Sequence, residues 1–500
     1  MTEIQNGASA SVLTKGNEMS TKENETSTPA SPKATTLKPR SVGLSGAVAQ
    51  SAALIGPAAG VTAGNIFVAG LSGAASPLAF LIGLVVCLSI AKVVGDYARK
   101  LPSAGSFYTY LTNTFGPKIG FVTGVLLFGA YVALLPFQLS FLGFFAQNLL
   151  ATVGVKMPWQ LIALALIVFS TGLAIIGIRP SLTVGLIGLI FEIAVFTILS
   201  LLIIFHGGAT GNSLQPFNPA QSSQGFSGLL LACVFTIFAF VGFESSTTLG
   251  EEARNPHHTI PRAVLLTTLL IGVFFVLVSY AEVIGFGLSK SGVQALQTDQ
   301  IPFNTLALRY GNGLLSILVN LATLTSFIAL NIVTVAASSR IIYAMGRDQM
   351  LPHIFSRVNN RHSPHIASLA VGIFGMLSSL VLGSIYGPEN WASWAAFIAT
   401  LFFIVAYVLL NVGVIKFYAQ HHSSEFGWIQ HIIFPCIGLA GMALVLYGNI
   451  YPVPQAPLNY FIYLTIAIII GAFIIAWRLE AKDAEVLRQA GQLFSAVEDI

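Results

Sequence analysis

The stretch FVGFESSTTLGEE, from Phe240 to Glu252, closes an apolar run that opens near Phe226. A helix that crosses a bilayer needs about 20 mostly apolar residues. Here a glycine at Gly242 and a carboxylate at Glu244 arrive before the crossing is complete. A backbone released from its helix and an ionisable side chain at membrane depth must be satisfied by protein or by water, since lipid offers neither donors nor acceptors. What faces this break decides the fold.

The composition places the break in a membrane. Of the 500 residues, 55% are hydrophobic and 8% are charged, where an ordinary soluble domain has roughly a quarter charged. An all-α integral membrane protein is expected, with the lipid bilayer as its surroundings. The net charge of +4 says less than where the charges lie. Lys and Arg are not gathered on a soluble face, which excludes nucleic acid as a partner. Cys87, Cys233 and Cys436 each sit in an apolar run without zinc or dithiol spacing, so they read as small buried hydrophobes and no metal site is expected. HExxH, GxSxG, CxxC and the phosphate loop GxxxxGK[ST] are all missing from the sequence. Neither an enzyme, nor an ATP-driven pump, nor a cofactor is expected.

Residues 1–40 are rich in Ser, Thr, Lys, Glu and Asn and read as a polar, disordered tail. They do not read as a cleaved signal peptide, because apolar sequence starts only near Leu44 and many further spans follow. Twelve apolar segments emerge: Leu44 to Gly70, Leu78 to Gly95, Gly120 to Leu150, Trp159 to Gly177, Ser181 to Phe205, Phe226 to Ser246, Ala263 to Phe286, Leu314 to Ile342, Ile366 to Ile385, Trp391 to Ile415, Ile429 to Ile450 and Leu458 to Trp477. An even count puts both ends on one side. With that parity twenty of the 23 basic residues share the side of the termini, and only Lys156, Lys290 and Arg309 fall opposite. Cytoplasmic loops accumulate Lys and Arg, so both termini are expected in the cytoplasm and the chain in the plasma membrane.

The break in span six has a counterpart. Span one contains IGPAAGV, Ile55 to Val61, where Pro57 has no N–H to donate and Gly56 and Gly60 favour unwinding. The two spans are five apart, and an odd offset makes the second copy of a five-span unit enter from the opposite face. Spans one to five and six to ten therefore read as an inverted 5+5 repeat, with two extra C-terminal helices. Paired interruptions at corresponding places point to a transporter site at the repeat interface. The half-helix starting near Ala59 is expected to offer N–H groups and a positive dipole end to a carboxylate. The half-helix ending near Phe240 and Val241 is expected to offer carbonyls to an ammonium group. An amino acid carries both charges on one carbon. Either break alone also fits a kink, and Gly60 to Gly64 fits a GxxxG packing motif; the register of the pair favours the site.

The residues around these breaks resemble a known family. FAFVGFESSTTLGEEARNPHHTIPRA in span six and its loop, KLPSAGSFYTYLTNTFG after span two and SSRIIYAMGRDQMLP after span eight are similar to the amino acid–polyamine–organocation permeases, of the amino acid permease type. The resemblance implies alternating access on the five-plus-five fold. It implies that the N–H groups of Ala59 and Gly60, flanked by Ala58, hold a substrate carboxylate. It implies that the carbonyls of Gly56, Phe238 and Val241 hold an amino group, that Phe238 covers the substrate as a gate beside Gly242 and Phe243, and that Glu244 serves gating or proton handling. Ala58-Ala59-Gly60 stands where many relatives have Gly-Ser-Gly, and Phe238 where some have Trp.

Three acidic residues lie inside apolar segments, Glu192 in span five, Glu244 in span six and Glu282 in span seven. A charged carboxylate at that depth costs a few kcal/mol, so each is a candidate proton carrier. Glu244 lies beside a break. Glu192 stands on span five, where several proton-coupled relatives use a lysine. Glu282 also fits a polar contact between helices. Lys92, Asp96 and Arg340 read as anchors at span ends. Ser326, Thr334, Ser338 and Ser339 on span eight could ligate sodium, though such hydroxyls usually bond their own backbone.

The expected organisation is a tail over 1–40, a transport core over 41–416 with spans one to five at about 44–205 and six to ten at about 226–415, spans eleven and twelve within 417–477, and a cytoplasmic tail over 478–500. The expected function is secondary active transport of amino acids by alternating access, as proton-coupled symport or as exchange (antiport) against a second amino acid. A polyamine importer, for putrescine for example, and a non-transporting amino acid sensor are the alternatives. The short stretch after Trp477 argues against a sensor with a soluble output domain, and nothing resembles a channel filter. Which side chain is accepted, whether protons or sodium drive transport, its direction and the oligomeric state are not encoded in any motif.

Overall fold

The computed structural model describes residues 36–152, 154–299 and 301–482. The expected tail over 1–40 and the C-terminal tail over 478–500 thus lie mostly outside the described residues. The helices are α1 Leu44–Ile55, α2 Pro57–Ser72, α3 Ser76–Lys100, α4 Phe107–Phe115, α5 Pro117–Thr152, α6 Trp159–Ile176, α7 Ile178–Phe205, α8 Gly225–Ala239 and α9 Pro256–Phe286. They continue with α10 Lys290–Thr298, α11 Pro302–Tyr310, α12 Gly313–Arg347, α13 His365–Leu377, α14 Gly383–Tyr386, α15 Pro388–His421, α16 Phe434–Ile450 and α17 Leu458–Lys482. Among the described residues the one extended contact outside the helices is a parallel bridge between Val42 and Ala253.

Among the described residues ten helical stretches are long and apolar enough to cross a membrane, the first running over 57 residues from Leu44 to Lys100, and α8 is a shorter apolar helix. Each of the twelve apolar segments read from the sequence overlaps one or more of these helices, the sixth, Phe226 to Ser246, only as far as Ala239. Large apolar side chains such as Ile187, Ile190, Val273, Leu314 and Trp477 stay exposed around the outside, as a lipid-facing surface requires. The chain is an all-α, multi-pass membrane protein. Three elements were not expected: α4 on the basic side, and α10 and α11 on the opposite side. All three are short, and α10 and α11 carry too many polar residues to read as spans.

The packing exchanges partners in pairs. Helix α3 packs on α9 and α6 on α13; α1 packs on α9 as α8 does on α3; α5 packs on α15 as α7 does on α12; and α5 packs on α6 as α12 does on α13. Exchanging spans one to five with spans six to ten maps each of these contacts onto another, which is the pattern an inverted repeat produces.

Both breaks are present. Helix α1 stops at Gly56, whose φ of 63° and ψ of 70° lie in the left-handed region, and α2 restarts at once with Pro57 in its first turn. A proline is suited to that position, because the N–H it lacks has no partner within the helix there. Helix α8 ends at Ala239, and the chain passes through Gly242 at a φ of 113° before a 3₁₀ turn over Ser245–Leu249. Residues with a side chain rarely adopt either conformation.

Candidate substrate site

The two breaks touch. A Cβ added to Gly242 would lie 2.8 Å from the carbonyl carbon of Leu54 near the end of α1, and one added to Gly60 would lie 3.8 Å from the carbonyl oxygen of Ala239. Below the contact, Ser245 Oγ donates to the Gln50 carbonyl at 3.2 Å and the Ser246 N–H donates to Ser51 Oγ at 3.0 Å. Gly60, Phe238 and Val241 remain partly exposed where the breaks meet, whereas Ala58, Ala59, Gly242 and Phe243 are buried. Phe243 stacks on Tyr407 with ring centroids 5.7 Å apart, so it supports the site from behind.

The first turn of α2 differs from what the sequence suggests. Its N–H groups are taken by the protein itself: Ala58 donates to Glu192 Oε2 at 2.9 Å, Ala59 to Ser326 Oγ at 3.1 Å, and Gly60 to the Gly56 carbonyl at 2.7 Å. The dipole end expected to greet an arriving carboxylate already holds one. Glu192 is fully buried and its Oε1 has no hydrogen-bond partner. At the other break the Phe238 carbonyl accepts from the Val241 N–H at 3.0 Å, which leaves one of its lone pairs for a ligand.

Glu244 is a junction. Tyr131 on α5 donates to its Oε1 and Tyr407 on α15 to its Oε2, each at 2.7 Å, while the Gly242 N–H donates to Oε2 at 3.2 Å. The carboxylate therefore fastens spans three and ten to the loop that follows the second break. Thr334 and Ser338 bond the carbonyls one turn before them, as expected for such hydroxyls, and Ser339 bonds the Ala336 carbonyl. Ser326 instead reaches across to α2. Gln138 accepts from Asn331 Nδ2 at 3.1 Å and donates to Thr334 Oγ1 at 3.0 Å, tying α5 to α12. Tyr131, Tyr407, Gln138, Asn331 and Asn65 were passed over in the sequence; a neutral polar side chain in mid-span was the available signal.

On the basic side Arg340 is no surface anchor. It is 2% exposed, and its Nε and Nη2 lie 2.5 and 3.1 Å from the two carboxylate oxygens of Glu252. Arg347 pairs with Glu251 at 2.9 Å, and the Ser41 and Val42 N–H groups donate to the Glu252 carbonyl. This network ties the loop after the second break to α12 and to the segment that leads into α1. Lys92 and Asp96 form the local pair expected of span-end residues, at 2.5 Å. Among the described residues no group of three or more His, Cys, Asp and Glu is placed to hold a metal ion. Cys87 and Cys233 are buried as expected, but Cys436 is exposed on the outer face of α16, where its apolar neighbours face outward as well.

Two interrupted helices that meet inside a sheath of apolar spans are the arrangement of a membrane transporter site. A family model described as amino acid permease matches residues 48–483, and the chain belongs to that family. Among its curated relatives it is similar to the branched-chain amino acid permease BcaP of Bacillus subtilis, 25% identical with 69% of this chain and 74% of the relative covered. It is also similar to the low-affinity putrescine importer PlaP of Escherichia coli, at 24% with 62% and 68% covered, and to the methylthioribose transporter of Bacillus subtilis, at 24% with 69% and 76% covered.

Proposed function

We propose that the chain is a proton-coupled amino acid permease of the plasma membrane, with both termini cytoplasmic, in which Glu192 and the substrate carboxylate compete for the start of α2. The observation that carries this reading is the 2.9 Å bond from the Ala58 N–H to Glu192. The exposed amide end of a helix favours an anion. Two carboxylates at one helix end repel each other, and charge repulsion is strong where water is scarce. A proton on Glu192 removes its charge and weakens its hold on Ala58, which frees the helix end for the substrate carboxylate. Proton binding and substrate binding then assist each other by linkage. The substrate's amino group faces the carbonyls of Gly56, Phe238 and Val241, with Phe238 as the cover, and Glu244 acts in gating through Tyr131 and Tyr407. The family of relatives named for branched-chain amino acids supports an amino acid substrate.

A second reading is an importer of organic cations such as polyamines, as in the relative named for putrescine. It is favoured by the Glu192 carboxyl standing where a substrate carboxylate would go. Uptake of labelled amino acids into proteoliposomes, with and without an inward proton gradient, separates the readings. Accumulation that follows the gradient supports the permease, binding without flux indicates a sensor, and uptake of diamines alone indicates the cation importer.

A further inference from the structure

A second polar pair lies on the opposite side of the breaks from the Arg340–Glu252 network. Asn65 on α2 and Glu282 on α9 are 1% and 0% exposed, and Asn65 Nδ2 donates to Glu282 Oε2 at 2.7 Å. Their other ends, Glu282 Oε1 and Asn65 Oδ1, have no partner, and neither does Ser279 Oγ one turn earlier on the same face of α9. The Glu282 and Asn65 oxygens accept, while the Ser279 hydroxyl can donate or accept. A buried group lacking its partner costs about 1–3 kcal/mol, so two bare acceptors side by side mark a ligand that donates.

Two bases stand on the helices around the pair: Lys290 at the start of α10 is exposed, and Arg309 on α11 is engaged, its guanidinium donating to the Gly285 carbonyl at 2.9 Å and lying over the Phe286 ring at 5.3 Å. The Asp299 carboxylate, after α10, adds a negative field at Glu282. Helix α10 packs on both α2 and α9.

We infer that Glu282, Asn65 and Ser279 form a subsite for a primary ammonium group carried at the far end of the substrate. An ammonium brings N–H donors to the two bare oxygens, with the Ser279 hydroxyl free to accept a third, and a positive charge to an unpaired carboxylate. The spacing fits the site already proposed. From Ala58, where the substrate carboxylate is placed, Asn65 lies two turns on along the same face, a rise of about 10 Å, and side chains on a helix lean toward its start, which shortens the gap. An extended lysine side chain spans a comparable length. The substrate class is thus a cationic amino acid, or a diamine of similar length, rather than a purely apolar amino acid. The inference rests on the transport reading for the location of the head group, and it is tested by binding rather than flux.

The test is a competition-binding series on the full chain in nanodiscs with lysine, Nε-acetyl-lysine, norleucine and 1,4-diaminobutane, on wild type, Glu282→Gln and Asn65→Asp. Lysine is expected to bind at least tenfold tighter than norleucine or the acetylated form to wild type, and equally with norleucine to Glu282→Gln. Asn65→Asp is expected to strengthen lysine relative to norleucine. Equal binding of lysine and norleucine to wild type overturns the subsite, as does a Glu282→Gln variant that weakens both alike. Diaminobutane binding that Glu282→Gln abolishes, with no amino acid bound, upholds the subsite and overturns the amino acid reading. A shift produced by sodium chloride, lost in Glu282→Gln and shown by no amine, assigns the site to an alkali cation and overturns the inference.

Discussion

Gly242 lies on the backbone of Leu54, so close that a Cβ there would stand 2.4 Å from Leu54 Cδ2 and 2.9 Å from its carbonyl oxygen. This contact joins the two breaks. Gly242→Ala combines a positive φ with overlap against main chain that cannot move aside, a penalty of about 2 kcal/mol or more. Uptake in membrane vesicles is expected to fall at least tenfold. Gly64→Ala, with nothing within 4 Å of the new methyl group, is expected to transport as wild type; parity of the two variants would contradict the packing argument.

The Glu244 junction makes a separable prediction. Hydrogen bonds to a charged group are worth about 1.5–3 kcal/mol each, so Tyr131→Phe and Tyr407→Phe should each lower the melting temperature of the purified protein. Glu244→Gln should reduce gradient-driven accumulation more than substrate binding. Unaltered accumulation with unaltered stability would remove Glu244 from the mechanism.

Two of the ion pairs on the basic side should behave differently. Removing Glu252 leaves the buried Arg340 unpaired, which costs about 3–5 kcal/mol, and Glu252→Ala is expected to be poorly folded, with Glu252→Ala/Arg340→Leu partly restored. Glu425 is fully exposed, and the hydrogen bond from Lys100 holds its carboxyl below the usual range. A depressed carboxylate stabilises the fold above its unfolded pKa and ceases to do so as the pH falls through its folded value. Solvent screens this pair, so Glu425→Gln should lie within error of wild type in thermal melts, with any difference fading as the solution is acidified.

Much of this architecture is legible in the sequence because lipid imposes simple rules. Apolar length marked the spans, and Pro57 with Gly56 and Gly242 marked the breaks to within three residues of where α2 starts and α8 ends. The unread parts depend on tertiary contact. Nothing local says that Glu192 and Ser326, 134 and 267 positions away from their partners Ala58 and Ala59, supply acceptors to those N–H groups, or that Arg340 turns inward to Glu252. Helices α10 and α11 escaped because their composition is that of a loop.

The head-group assignment predicts a chemical preference. If the α2 terminus holds a substrate carboxylate, methyl esterification of a transported amino acid should weaken its competition at least tenfold, since the ester carries no charge to the helix end. Equal competition by ester and free acid would leave only the carbonyl side of the site in use.

The central claim is that Glu192 and the substrate carboxylate exclude each other at Ala58 until a proton arrives. The direct measurement is amino acid affinity of the purified protein across pH 5–8 for wild type and Glu192→Gln, using the best ligand from a thermal-shift panel. Wild-type binding should tighten as the pH falls, and the neutral glutamine should bind tightly at every pH while gradient-driven accumulation is lost. A Glu192→Gln variant whose affinity keeps the wild-type pH dependence would contradict the account.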